Sequence, residues 1–187
     1  MNLINGFGSF YVCDQRDRGA TRSMDFEIKL AINEQEIDYV YQIMLDAFRE
    51  YSKYDTPSSA MNEKLSTLRK SIHEGSEQAV LGYLNGQPAG SVRFKEMDET
   101  SLYFFRLSVI PEARGKGLAK KMIEWLLVYA RENQKNKIVC RVRKDTPHNI
   151  HFYHSNDFDI AKEETIINKD GNIVDTVIME KSSKVLV

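Results

Sequence analysis

Between two apolar runs, SLYFFRLSV and MIEWLLVYA, the chain places Val109 to Lys121, VIPEARGKGLAKK, with one proline, two glycines and four basic residues. The run before this junction has the length and make-up of a strand over Leu102–Val109. After it, Leu118, Ala119, Met122, Ile123, Leu126, Leu127 and Ala130 recur at helical spacing, while Lys116, Lys120, Glu124 and Arg131 suit the face toward water. Along the chain the expected order is strand, two helices, three or more strands, helix, strand, helix and hairpin, that of an α/β domain with a mixed sheet.

The same junction suits an anion. Gly115 and Gly117 let backbone approach a ligand closely, the first N–H groups of the helix point outward, and Arg114 and Lys116 add positive charge. Two phosphate loops are excluded by spacing. A Walker-type loop needs Lys-Ser/Thr after its last glycine, and Leu118 follows Gly117; a dinucleotide fingerprint needs a third small residue where Lys120 stands. Spacing alone leaves a second reading open, a basic helix start with ordinary glycine punctuation.

Charge sharpens the contrast. The 187 residues include 26 basic and 27 acidic side chains, a net charge of −1, so no overall field points to nucleic acid or a membrane surface. An anion site on such a chain is local. Cys13 and Cys140 lie far apart without metal spacing and fit a reducing, cytoplasmic setting. No apolar run reaches the roughly 18 residues that a spanning helix needs.

One domain is expected over residues 24–182, with 183–187 as a tail. Phe26–Ala31 alternates as a strand, and Glu34–Tyr51 carries a helical stripe through Ile37, Val40, Tyr41, Met44, Leu45, Ala47 and Phe48. Pro57 breaks that helix, and a more polar one is expected from Ser59 to Ile72, stopping near Gly75. AVLGYL and PAGSVRF flank Asn85-Gly86, a hairpin signal; Asp170-Gly171 is a second, between strands Phe158–Ile167 and Ile173–Glu180. KIVCRV (Lys137–Val142) reads as a strand, and Thr146-Pro147 as a helix start in which threonine caps. Residues 1–23 lack periodicity and signal-peptide character. They are either an extension from an upstream start, with Met24 the native one, or an arm that packs on the domain or a partner.

LSVIPEARGKGLAKKMIEWLL resembles the acetyl-CoA-binding motif of the GNAT N-acetyltransferases, Arg/Gln-x-x-Gly-x-Gly/Ala, here Arg114-x-x-Gly117-x-Ala119 after an L-x-V-x-P approach. The order of elements agrees with that family from about Met24 to Lys181. The resemblance implies a GNAT-like, mixed and mostly antiparallel sheet flanked by helices, with two central strands splayed to form the acetyl-CoA site. It implies that Leu107, Val109 and Ile110 lie along the pantetheine arm through their backbone. The loop Arg114, Gly115, Lys116, Gly117, Leu118 and Ala119 then cradles the pyrophosphate.

TPHNIHFYHSNDF (Thr146–Phe158) resembles the family's later motif, Phe-Tyr-x-x-x-Gly-Phe. The resemblance assigns Tyr153 the catalytic acid that protonates the departing thiolate, and a phenol still protonated at neutral pH suits that task. Asp157 replaces the usual glycine, but aspartate tolerates left-handed backbone. Thr146 stands where the motif often has asparagine and Asn149 sits one helical turn later, so the resemblance leaves Thr146 or Asn149 as the cofactor contact, with Asn149 taken as the candidate. His148, His151 and His154 recur every third residue without a carboxylate or cysteine to complete a metal set, so no metal is expected.

The implied activity is acetyl transfer to a primary amine of a small molecule or peptide by direct attack on the thioester. The partners are acetyl-CoA and an amine, with no nucleic acid or membrane, and the protein is a monomer or homodimer. Its base is unassigned, because SLYFFRLSV carries Arg106 and no glutamate; Glu96, Glu99, Glu50, Asp55 and a water chain are candidates. Tyr51, Tyr54, Glu50 and Asp55 form a set suited to a cationic amine. A non-catalytic acyl-CoA-binding regulatory module is the alternative from another class.

Overall fold

The computed structural model describes residues 10–12, 24–49, 59–168 and 171–184. Its strands are β1 (Phe10–Val12), β2 (Phe26–Leu30), β3 (Gln78–Leu84), β4 (Gln87–Glu96), β5 (Ser101–Val109), β6 (Lys137–Arg143), β7 (Asp159–Ile167) and β8 (Ile173–Ser182). The helices are α1 (Glu34–Phe48), α2 (Leu65–His73), α3 (Leu118–Glu132) and α4 (Pro147–His154). All eight strands join one sheet in the order β1-β2-β3-β4-β5-β6-β8-β7. Its neighbours run antiparallel except β5 and β6, which are parallel.

Local chemistry explains several element ends. The Asn33 side chain accepts from the Glu36 N–H while Glu36 reaches back to the Asn33 N–H, a capping box that fixes the start of α1. Asn85 and Gly86 both take positive φ, 51° and 76°, the geometry that a two-residue hairpin loop demands. Asp157 takes φ 62° after α4, as expected for the residue that replaces glycine there. Thr146, by contrast, does not cap α4: its hydroxyl donates to the Arg143 carbonyl at 2.8 Å and is buried there.

The second expected helix is two pieces. Ser59–Asn62 forms a 3-10 turn, the chain then extends, and α2 begins only at Leu65. Glu63 in the break is held by tertiary contacts. Its carbonyl accepts from the Tyr41 hydroxyl, and its carboxylate reaches Arg93 of β4 at 2.7 Å. Those contacts outweigh helical continuation. The packed domain also runs past residue 182, since Ser183 is buried and its N–H donates to the Asn136 carbonyl.

Each sheet face carries its own core. α3 and α4 cover one, where Val80, Val92, Phe104, Leu118, Met122, Leu126 and Phe158 meet. Burial of each such side chain contributes about 1.5–3 kcal/mol. α1 and α2 cover the other with Ile37, Val40, Ile43, Leu68 and Leu81. The start of α3 lies directly on β3 and β4 because two strand residues there have no side chain. A Cβ on Gly90 would stand 2.8 Å from Met122 Cε, and one on Gly82 2.9 Å from Leu118 Cδ1. The glycine junction is thereby placed at the end of β5.

Candidate functional site

Two strands at the centre of the sheet part company. β5 and β6 pair only through Ser101–Tyr103 against Lys137–Val139, although β5 continues to Val109 and β6 to Arg143. A bulge accompanies the parting. On β4, Ser91 faces Ser108 and Arg93 faces Phe105, so Arg106 and Leu107 stand opposite Val92 alone. Arg106 takes φ 54°, rare for a non-glycine residue within a strand. A bulge bends its strand and takes one residue out of the ladder. The result is a wedge that holds a cavity of about 840 Å³, closed at its apex near Tyr103 and Cys140.

Eight of the residues expected at a site line this cavity: Leu107, Val109, Arg114, Gly115, Leu118, Ala119, Asn149 and Tyr153. Ile110, Lys116 and Gly117 stand outside its lining. The Ile110 N–H is already spent on the Ala89 carbonyl, and the Lys116 ammonium turns back to the Glu112 carbonyl. Gly117 acts through backbone, taking φ 88° as the residue that starts α3, where no side chain caps the helix. Its first N–H groups therefore lack an intrahelical or side-chain acceptor. Arg114 is folded inward rather than outward. It donates to the Val109 carbonyl and, from Nη2, to the Ala47 carbonyl at the end of α1, tying the loop to that helix.

Tyr153 comes to the opposite wall on α4. Its ring packs against Phe152, Phe158 and Phe104, with centroids 5.2, 5.4 and 5.9 Å away. Its hydroxyl reaches the thiol of Cys140 on β6. Burial pushes that thiol far up from its usual pKa, and the hydrogen bond from Tyr153 only partly opposes the effect. Cys140 is thus held as a neutral thiol, a poor nucleophile. Of the three histidines, His148 lines the cavity while His151 and His154 are exposed. Among the described residues, no group of three or more histidine, cysteine or carboxylate side chains is placed to hold a metal.

Of the carboxylates proposed as bases, the two among the described residues stand away from the cavity. Glu96 pairs with Lys135 at 3.0 Å and Glu99 is exposed, neither lining the cavity. Glu50, Tyr51, Tyr54 and Asp55 lie outside the described residues. What sequence reasoning missed is a buried ionic cluster beneath the bulge. Arg93, only 4% exposed, pairs with Glu63 and Glu77 and lies 5.0 Å from the Phe105 ring; Glu63 also reaches Arg106 at 3.7 Å. Burial lowers the pKa of the Arg106 guanidinium, with Glu63 opposing. A signal existed, for Arg93 and Arg106 each stand between apolar neighbours, Val92 and Phe94 or Phe105 and Leu107, and a buried charge requires a partner.

Above the cluster, burial pushes the Tyr103 phenol up despite nearby Arg141. Hydrogen bonding from Arg141 holds Glu164 below the usual carboxylate range, against a smaller effect of burial. Both residues are on the sheet face opposite Tyr153.

Comparison with known proteins agrees with this geometry. The family model described as Acetyltransferase (GNAT) family matches residues 37–158. The chain is similar in structure to the ribosomal-protein-S18-alanine N-acetyltransferase of Escherichia coli, with 18% identity, a TM-score of 0.65, and 87% of this chain and 96% of that one covered. It is similar to a putative acetyltransferase from Salmonella typhimurium solved with acetyl-CoA, at 18% identity and TM-score 0.63 over 87% and 96% of the two chains. It is likewise similar to a spermidine/spermine N-acetyltransferase from Vibrio cholerae, at 19% identity and TM-score 0.63 over 84% and 92%. No sequence among the curated proteins matches significantly.

Proposed function

Since the chain belongs to the GNAT family of acetyltransferases, we propose that its wedge carries out acetyl transfer from acetyl-CoA to a primary amine, by direct attack of that amine on the thioester. The observation that carries this reading is the early end of the β5–β6 pairing, which opens a cavity between the uncapped start of α3 and Tyr153. These residues fit the donor. The α3 start offers unsatisfied N–H groups for phosphate, and the bulged β5 offers backbone that its own ladder does not use. Leu107 and Val109 would flank the pantetheine arm, with Gly115, Leu118 and Ala119 at its phosphate end and Asn149 on the facing wall. The bound donor supplies an activated acyl group.

The chain's own residues then have three tasks. The wedge fixes the direction of approach and excludes water, which accounts for rate through orientation. The Tyr153 hydroxyl, close to Cys140 at the apex, is the proton donor to the leaving sulfur. Cys140 takes no covalent part, because its buried thiol stays protonated. No helix among the described residues is long and apolar enough to cross a membrane.

Tyr153→Phe is the test. It keeps the ring packing and removes the hydroxyl, so kcat should fall on the order of 10²–10³-fold while acetyl-CoA affinity by calorimetry changes less than about twofold. Unchanged kcat would remove Tyr153 from its role as acid. Tight acetyl-CoA binding by the wild-type protein with no CoA release from any amine would favour a regulatory acyl-CoA-binding module instead.

A further inference from the structure

Resting on the transfer reading above, we infer that the acceptor is an amine bearing its own carboxylate, amino-acid-like in character and unlike a polyamine. The inference comes from charge that the donor leaves unexplained. Tyr153 and Phe104 wall the wedge on the α3 and α4 side. On the other side, Lys95 faces Tyr103 and Arg93 faces Phe105 across the β4–β5 ladder, and the Tyr103 and Phe105 rings stack with centroids 5.7 Å apart. Arg141 and Arg106 act on the same Tyr103 phenol. Lys95, Arg106 and Arg141 all line the cavity here, away from the α3 start where donor phosphates would bind.

The carboxylates around these cations are already engaged. Glu164 lies 2.6 Å from Arg141 and 3.4 Å from Lys162, and Glu63 is shared between Arg106 and Arg93. Asp145, the only carboxylate in the described lining, is held by Arg143. Lys95 is exposed and makes no ion pair among the described residues. Among the described residues of the lining, a second ammonium, as on a polyamine, would find no carboxylate outside an ion pair to receive it, whereas a carboxylate would find the Lys95 ammonium. The same field favours the neutral form of the incoming amine, since like charge disfavours an ammonium. That helps to explain how transfer proceeds without a glutamate on β5. The carboxylate of the acceptor offsets the repulsion that a bare amine would meet on binding.

The experiment compares CoA release for a set of free amino acids, the matching amino-acid amides and spermidine, with wild-type protein and Lys95→Met. In the wild type, kcat/KM for at least one amino acid should exceed that for its amide by about tenfold or more, as expected for a hydrogen bond to a charged group, and spermidine should be poorer still. Lys95→Met should narrow the amino-acid to amide ratio by about threefold or more, the scale of an exposed charge pair. The side chain is exposed and makes no ion pair among the described residues, so loss of folding is an unexpected outcome, checked by an unchanged melting curve. Preference for spermidine or for amides, or an equal loss on both arms in Lys95→Met, overturns the inference and leaves acetyl transfer standing. Absence of CoA release with every amine, despite acetyl-CoA binding, overturns acetyl transfer and this inference together.

Discussion

Arg93→Met is expected to lower folding stability by about 3–5 kcal/mol, seen as a reduced urea midpoint with an unchanged slope. The guanidinium sits in a nearly closed space, with Glu63 and Glu77 as ion-pair partners. Methionine fills similar volume but leaves the buried Glu77 carboxylate without a cation and Glu63 with only the longer contact to Arg106. Such uncompensated burial is costly, whereas removal of a whole ionic cluster need not be. Adding Glu63→Gln and Glu77→Leu to Arg93→Met should therefore restore most of the loss. If the single change costs less than about 1 kcal/mol, a surface-like value, the cluster is not what holds the segment around Glu63 to β4.

Gly117→Val should act on ligand affinity more than on folding. A Cβ at this position would meet nothing within 4 Å, so space is not the obstacle. Backbone geometry is: φ is 88°, and a β-branched residue there carries about 1–3 kcal/mol of strain. Relaxation would rotate the loop and redirect the first N–H groups of α3. The Kd for acetyl-CoA should rise by roughly 10- to 100-fold, with kcat at saturating donor reduced far less. Gly115→Ala provides a graded comparison at φ 72°. Full retention of donor affinity in Gly117→Val would show that the left-handed start of α3 is dispensable.

Where local chemistry decides the backbone, the sequence is legible. Asn85-Gly86, the glycine junction and Asp157 each announce a conformation that the structure adopts. The apolar spacing of α3 is equally clear, although buried Trp125, tilted against Phe94 at 6.1 Å, falls outside the stripe read from the sequence. Long-range balance is what the sequence hides. No local pattern shows that Arg106 adopts positive φ, because the bulge arises from the pairing of β5 with β4 while β6 diverges. The break in the expected second helix and the late start of α2 have the same origin, since Glu63 answers a buried arginine far along the chain.

The candidate site divides in the same way. Glycine spacing and family resemblance made the start of α3 readable, where Gly115 and Gly117 take positive φ and Gly115, Leu118 and Ala119 line the cavity. The cavity lining adds Lys95, Tyr103, Phe105 and Arg141, which alternate within ordinary strands and reveal a shared face only once the register is known. The inward fold of Arg114 was also hidden. Its charge reads as a phosphate contact, yet its donors brace the loop against the end of α1.

Hydrogen exchange with and without acetyl-CoA tests the wedge most directly. Saturating donor should slow exchange of backbone amides at Leu107–Val109 and Gly115–Ala119, and in the Asn149–Tyr153 turn, while the far β2–β3 edge stays unchanged. Protection confined to other parts of the sheet, or no protection at these amides while CoA is being released, would contradict donor binding between β5 and β6.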